Sequence, residues 1–579
     1  MFLLRKQAVF RNVYPSSLAV QRSFSHRATT PRRFGRLVSR RATALVGVGL
    51  GTIGASTFIA DRVIQADASL APYTSIESNS APLGNLIRTY VVYSICSFPT
   101  FVDAAPKLLE VLMGIPIVRN ITEALVRVTF FDQFVGGDTA QGSLPLLHSL
   151  RAENKGVLFA YSIEADQSEA TSLSKKKGQP LYKRCVDEMV RSIDVAAEFE
   201  DSIVGKESHS GRRTWVAIKM TALVPDAESL VALSSHIVAT RPQHNPPIPF
   251  PGCSRPEDLS ILREREPASK FLNSEDIASL RELYANLRRI CLRAQEKGVK
   301  LIIDAEYSWY QPAIDAMQLA LMREFNKISS ESDKPETSVQ PLIYGTFQAY
   351  LRRTPLYLAQ SYRDAQANNY ALGVKLVRGA YHPHEISAYE AVQLPGHRLS
   401  ISNEALPPVW VAKEETDKCY NECVKMLVNW IKEDAFPAQP VGWLAKKSSN
   451  DPRIGVLFGT HNWVSTKLIL SELVRSGLAA TTSMEDEEGN AVLRLDDETT
   501  ERVTFGQLFG MSDALTNYIV QRTVSKTPMV IKYVPYGALS ETMPYLSRRA
   551  IENKSVLGDG HAAEERKRAG REIWAKFFG

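Results

Sequence analysis

The chain has 579 residues, 44% hydrophobic and 23% charged, which is the balance of a globular protein with room for one large domain and extensions. The formal charge of +6 is lopsided. Residues 1–60 carry nine Arg, one Lys and no acidic residue, so the rest of the chain stands at about −4. The basic balance belongs to the N-terminus and excludes a reading of the whole protein as a nucleic-acid binder.

Residues 1–41 are rich in Arg and Ser and free of acids, the composition of a mitochondrial transit peptide. Residues 42–60, ATALVGVGLGTIGASTFIA, are uncharged and long enough to cross a bilayer. GLGTIG at 49–54 matches a dinucleotide-binding motif, but no strand precedes it and an arginine-rich leader does. Gly47, Gly51 and Ala55 are spaced for close helix packing. A membrane helix and a second targeting element both stay open.

Residues 61–150 alternate apolar and helix-forming stretches (TYVVYSICSF, KLLEVLMGI, ITEALVRVTFFDQF), which predict a helical arm. From 151 the pattern becomes regular. Eight β-rich apolar runs occur at 156–163, 214–220, 299–306, 341–347, 371–377, 454–460, 502–508 and 529–535. Helical stretches lie between them, such as SEDIASLRELYANLRRICLRAQEKG, which ends in Lys-Gly. Eight such units predict an α/β chain folded as a (β/α)8 barrel, over 151–557. Segments 221–273, 328–340, 386–412 and 478–500 are polar or Pro-rich and predict surface insertions. The tail 558–579 is an amphipathic helix in prospect, whose Ile573, Trp574, Phe577 and Phe578 either touch a membrane or cover the barrel. The six Cys (96, 185, 253, 291, 419, 423) form no zinc or disulfide pattern and predict buried reduced thiols.

A barrel of this kind places its active site at the C-terminal ends of the strands. The runs end on or beside Lys219, Asp304 and Glu306, Gln348, Lys375 with Arg378 and Tyr381, His461 with Asn462, Gln507 with Leu508, and Tyr533. The helix that follows, SETMPYLSRRAIEN, is predicted to start at Ser540 or Glu541 with Pro544 in its first turn. It sets Tyr545 one turn before Arg548 and Arg549. Adjacent arginines at a barrel mouth suit a carboxylate; on a solvated helix Arg548 would instead pair with Glu552. His382 and His384 are read as polar turn residues, and no metal is expected. The contrasting possibility is a hydrolase or aldolase using Asp304, Glu306, His382, His384 and His461 around a metal, or Lys219 as a Schiff-base lysine. A non-enzymatic membrane scaffold would leave the polar strand ends accidental.

KLVRGAY (375–381), DAE (304–306), QAYLRR (348–353), THN (460–462), KYVPYG (532–537) and PYLSRRAIEN (544–553) together resemble the proline dehydrogenase family, in order and spacing, over roughly 150–557. The layout is similar to the mitochondrial, fungal-type enzymes. The resemblance implies a distorted barrel that binds FAD, oxidises L-proline to Δ1-pyrroline-5-carboxylate and passes electrons to ubiquinone at the matrix side of the inner mitochondrial membrane. It implies that Arg548, Arg549 and Lys219 hold the proline carboxylate. Tyr381, Leu508, Tyr533 and Tyr545 would wall the ring, and Asp304 would orient the lysine or a tyrosine. For FAD the matching positions are Gln348, Lys375, the backbone at Val377, Arg378, His461, Asn462 and Glu552. Gly379 is expected to permit close approach of the backbone after the strand. His382 departs from the Trp of bacterial relatives, so no contact carries over to it. Hydroxyproline is the alternative substrate, and Tyr533 is the kind of residue that excludes or accepts its hydroxyl.

Overall fold

The computed structural model describes residues 82–162, 179–206, 209–242, 245–265, 268–328, 339–391, 400–437, 452–486, 489–555 and 561–578. The leader and the 42–60 segment lie outside them.

Among the described residues eleven strands form, β1 (Lys155–Tyr161), β2 (Thr214–Ile218), β3 (Leu301–Ile303), β4 (Ile343–Gln348), β5 (Leu372–Val377), β6 (Ile454–Gly459), β7 (Ala480–Glu485), β8 (Ala491–Arg494), β9 (Val503–Leu508), β10 (Thr523–Val524) and β11 (Val530–Tyr536). Eight of them close a parallel barrel in the order β1-β2-β3-β4-β5-β6-β9-β11. The closing pair is long, running from Lys155 beside Val530 to Tyr161 beside Tyr536. The strands are apolar on both faces because both are covered. Leu158, Ala160, Trp215, Ala217, Ile302, Tyr344, Leu457 and Ile531 fill the barrel interior. The N-terminal end is sealed by charge: Lys300 donates to Glu501 at 3.0 Å, and its ammonium lies 5.2 Å from the Trp215 ring centroid. Burial alone would raise the Glu501 carboxyl, but Lys300 and Arg213 bring it down to about 2.

The helices follow local rules. Helix Ser274–Lys297 is capped by Asn273, whose side chain accepts from the N–H groups of Glu275 and Asp276, and Asp276 returns a bond to Asn273. It stops at Gly298 with φ 61°. The predicted run 299–306 is a strand for three residues only, so Asp304 and Glu306 stand in the loop beyond β3.

Two predicted insertions are part of the packed layers. Within 221–273, helix Glu228–Thr240 buries Leu230, Leu233 and Ile237, a 3–4 spacing hidden in a Ser-rich stretch. Within 386–412, Val409 is buried and bridges Leu351. Segment 478–500 carries β7 and β8, which pair antiparallel, with β10 alongside β8. All six cysteines are buried and free.

The eighth helix, Leu539–Ser555, packs on the arm helices and at the barrel mouth. It starts one residue earlier than expected, so Pro544 lies inside it. The arm contains helices Leu83–Cys96, Pro99–Met113 and Pro116–Val126. Tail helix His561–Phe578 packs on Leu83–Cys96: Ala569 is buried and Gly570 faces the Tyr90 ring. Of the two roles open to its apolar end, membrane contact or barrel cover, the exposure of that end favours neither packing on the barrel nor burial within the chain. Trp574, Phe577 and Phe578 are exposed, because the packing face is the Glu565–Ala569 side.

Candidate active site

A cavity of about 410 Å³ opens at the C-terminal ends of the strands. The barrel sends into it Lys219, Asp304, Gln348, Lys375, Val377, Arg378, Tyr381, His461, Asn462, Leu508 and Tyr533, and the eighth helix adds Tyr545, Arg548 and Arg549. Every site residue predicted from the sequence is therefore on one wall or another, except Glu552. Its backbone lies on the eighth helix and its side chain lies outside the described residues.

Asp304 is the centre of the barrel side. One oxygen accepts from Lys375 Nζ at 2.5 Å and the other from the Tyr533 hydroxyl at 3.0 Å. The Lys375 ammonium also lies 5.1 Å from the Tyr533 ring centroid. Of the expected lysine or tyrosine, Asp304 engages a tyrosine of the substrate set, Tyr533, and it also takes Lys375 of the cofactor set. Closure of the sheet explains this, since β3, β5 and β11 are not neighbours in the barrel and meet only across its mouth.

Arg378 is fixed by three partners. It donates to Asp417 at 2.6 Å, Thr460 Oγ1 at 2.8 Å and Ser465 Oγ at 2.8 Å, and its guanidinium lies 4.4 Å from the Tyr420 ring centroid. Beside it, Leu508 N–H donates to His461 Nε2 at 3.0 Å, while His461 Nδ1 meets Ser512 Oγ at 2.8 Å. The His461 ring is held at both nitrogens.

On the helix side, Arg548 lies 5.6 Å from the Tyr381 ring and Arg549 lies 5.0 Å from the Tyr545 ring. Arg549 is 4% exposed. Two buried or half-buried guanidiniums therefore face the cavity against aromatic rings, and guanidinium groups suit carboxylates in general. Tyr381 packs in turn on Tyr307, ring centroids 4.3 Å apart and tilted by 37°.

Three features correct or extend the sequence reading. Gly379 has φ 127°, and a Cβ there would lie 2.6 Å from the Tyr350 ring. The close approach it permits is to Tyr350, with no need to invoke a ligand. His382 Nε2 meets the Trp410 carbonyl at 2.7 Å, and exposed His384 lies near the Tyr307 ring. Glu306 is engaged by Thr221 N–H at 3.1 Å and by the Thr221 hydroxyl, and burial raises its carboxyl. No three His, Cys, Asp or Glu side chains among the described residues are placed to share a metal. Third, the arm and tail reach the cavity through Tyr93 and Glu565. Neither lies at a strand end or in the helix after the last strand, where the sequence reading looked.

The family model for proline dehydrogenase matches residues 147–561. The chain belongs to the proline dehydrogenase family. It is 26% identical over 499 residues to the mitochondrial proline dehydrogenase 1 of Dictyostelium discoideum, covering 84% of this chain and 71% of that one. Against the probable mitochondrial proline dehydrogenase of Schizosaccharomyces pombe it is 25% identical, covering 90% of this chain and 94% of that one. The hydroxyproline dehydrogenase of Xenopus laevis is 26% identical, covering 85% of this chain and 87% of that one.

Proposed function

We propose that the chain is a mitochondrial, FAD-dependent enzyme that oxidises L-proline to Δ1-pyrroline-5-carboxylate and passes the electrons to ubiquinone. The observation that carries this is the meeting of two sets on one cavity: the paired guanidiniums of Arg548 and Arg549 from the eighth helix, and the Lys375–Asp304–Tyr533 unit from the barrel.

The residues present fit FAD. Gln348 Oε1 is buried without a hydrogen-bond partner on a residue that lines the cavity, and a buried acceptor in that state calls for a donor from a ligand. Gln348, Lys375, the Val377 backbone, Arg378, His461, Asn462 and Glu552 would hold the group. When bound, FAD supplies the hydride acceptor for proline C5.

The chain's own side chains do the rest. Arg548 and Arg549, with Lys219, take the proline carboxylate. Tyr381, Leu508, Tyr533 and Tyr545 enclose the ring and keep water from it. Asp304 ties down Tyr533 and Lys375, so the ring wall and the positive charge keep fixed positions without reorganising during reaction. The cationic enclosure favours the neutral amine, whose lone pair assists departure of hydride from C5; the amine proton leaves to water.

Hydroxyproline is the second reading, and the hydroxyproline dehydrogenase relative favours keeping it. Its discriminating group is Tyr533, whose hydroxyl is committed to Asp304. The matrix side of the inner membrane is the proposed location. No helix among the described residues is long and apolar enough to cross a bilayer. Contact would come from the surface, where Ile117 of the arm is 78% exposed and Phe578 of the tail 71%.

An absorbance spectrum of the purified protein before and after anaerobic L-proline tests the reading. A flavin spectrum that bleaches with proline is the expected result. Bleaching by hydroxyproline alone moves the substrate to the second reading. A colourless protein that takes up no FAD sinks the oxidoreductase assignment.

A further inference from the structure

Glu385 takes no part in the cavity wall, yet it is placed to control it. It lies on helix His382–Ala391, four residues after Tyr381, and is 1% exposed. Its carboxylate accepts from the Ser308 N–H at 2.7 Å and the Ser308 hydroxyl at 2.6 Å, and from the hydroxyl of Tyr350. Tyr350 in turn accepts from Gln348 Nε2 at 3.1 Å. The same amide nitrogen donates to the Glu306 carbonyl at 3.3 Å. Both amide hydrogens are then committed, and Oε1 is the atom left for the cavity.

Tyr350 itself is locked. Its N–H donates to the Arg378 carbonyl at 2.8 Å, its carbonyl accepts from Trp410 N–H at 2.7 Å, and its ring fills the space beside Gly379. The one freedom left to it is the direction of its hydroxyl proton. That direction decides whether Tyr350 helps to hold Gln348, because a hydroxyl pointed at Glu385 offers the Gln348 N–H a lone pair and a hydroxyl pointed at Gln348 sets a proton against it.

We infer that Glu385 is a positioning residue: as a carboxylate it takes the Tyr350 hydroxyl proton and so holds the Gln348 amide with its oxygen toward the cofactor. This rests on the assignment of the cavity to FAD. When Glu385 is protonated, it donates to Tyr350 instead, the Tyr350 proton turns onto the Gln348 N–H, and the amide is left held by the Glu306 carbonyl alone, so its oxygen is no longer firmly aimed at the cofactor.

The switch falls in a usable range. Burial pushes the Glu385 carboxyl from about 4.5 up to about 7, while the Ser308 and Tyr350 hydrogen bonds pull it down. The groups around it are Ser308 and Tyr307 from the loop after β3, Tyr350 from the loop after β4, and Tyr381, His382 and His384 on its own segment. The His382 ring is occupied by the Trp410 carbonyl and His384 is exposed. Gln348 therefore presents its oxygen above about pH 7. Below that pH the amide keeps only its Glu306 carbonyl bond, its oxygen is less firmly aimed, and cofactor affinity weakens.

FAD release from the full-length holoenzyme, read as recovered flavin fluorescence on dilution between about pH 6 and 8.5, tests this. Wild type is expected to lose about tenfold in affinity as pH falls through the transition, the scale of one hydrogen bond. Glu385→Gln is expected to be weak and flat across the range, and Ser308→Ala to move the midpoint up by about one unit because it removes a bond to the charged form. A flat wild-type profile, or a step that stays in place in Ser308→Ala, overturns the inference, and Ser308→Ala decides it even if Glu385→Gln does not fold. A step that persists in a folded Glu385→Gln overturns it too. A wild-type protein that holds no FAD at any pH sinks the cofactor assignment itself, and this inference with it.

Discussion

Arg549 is buried against Tyr545 on a helix that overhangs the cavity, and the proposed function gives it the substrate carboxylate. Arg549→Met is expected to raise KM for proline by about 10²-fold or more, the cost of losing a desolvated charge-assisted bond, while flavin stays bound. Steady-state kinetics with a flavin spectrum of the same sample checks both halves; loss of flavin would instead reassign Arg549 to the cofactor. Gly379 is constrained from two directions, by φ 127° and by the Tyr350 ring. Gly379→Ala is expected to destabilise the fold by about 2 kcal/mol or more, read as a lower denaturant midpoint. Its neighbours in KLVRGAY point to different jobs. Lys375 and Tyr381 face the cavity, while Gly379 makes room for the residue that carries the Glu385 relay.

Among the elements, the eighth helix and the tail have exchanged the usual work of a barrel helix. Leu539–Ser555 brings Tyr545, Arg548 and Arg549 over the mouth and packs Leu539 and Leu546 on the arm. The outer face of β11 then needs other cover. Lys532 points there and is satisfied by the Met511 carbonyl at 3.0 Å, Thr516 Oγ1 at 2.9 Å and Asp513 at 3.1 Å. Burial and then the charges of Asp513, Lys155 and Glu565 act on it, and the net effect lowers its ammonium. Glu565 and Arg568 of the tail close this cluster. Deleting residues 561–579 is expected to lower the melting temperature by several degrees and to weaken flavin retention, because it opens the cavity wall at Glu565. Differential scanning calorimetry with flavin release measures both; an unchanged melting curve would mean that the tail packs only weakly on Leu83–Cys96.

For the whole molecule, Glu385 makes stability depend on pH. Its folded carboxyl titrates at about 7 against an ordinary 4.5, so between these values the folded state holds more protons than the unfolded one. Stability then falls as pH rises through that window, by on the order of 3 kcal/mol from this group alone. Glu385→Gln is expected to gain on wild type as pH goes from about 4.5 to 7 and to hold a constant lead above it, measured by urea unfolding at each pH. A constant difference across the window would contradict a buried carboxyl there.

The barrel was legible in the sequence because parallel strands buried on both faces must be apolar throughout, and eight such runs alternate with helices whose caps are local. The strand-end residues were legible for the same reason: polar groups that close an apolar run, in a barrel, share one rim. What local pattern could not carry was pairing across the fold. Asp304 lies far from both Lys375 and Tyr533 in the chain, and only closure of the sheet makes it their common acceptor. Glu385 stood in plain view within KLVRGAYHPHE, but its partners Ser308 and Tyr350 come from other loops, and nothing in a helical Glu signals burial. The buried helix within 221–273 was masked by its serines, whose hydroxyls are satisfied only after packing, as Ser234 is by Ala313 N–H. The sequence by itself determined the strands, the helices and the rim on which the chemistry stands, since these follow from hydrophobic period and caps. Tertiary structure alone decided which charges meet, because that depends on loop closure and desolvation between residues that the chain keeps far apart.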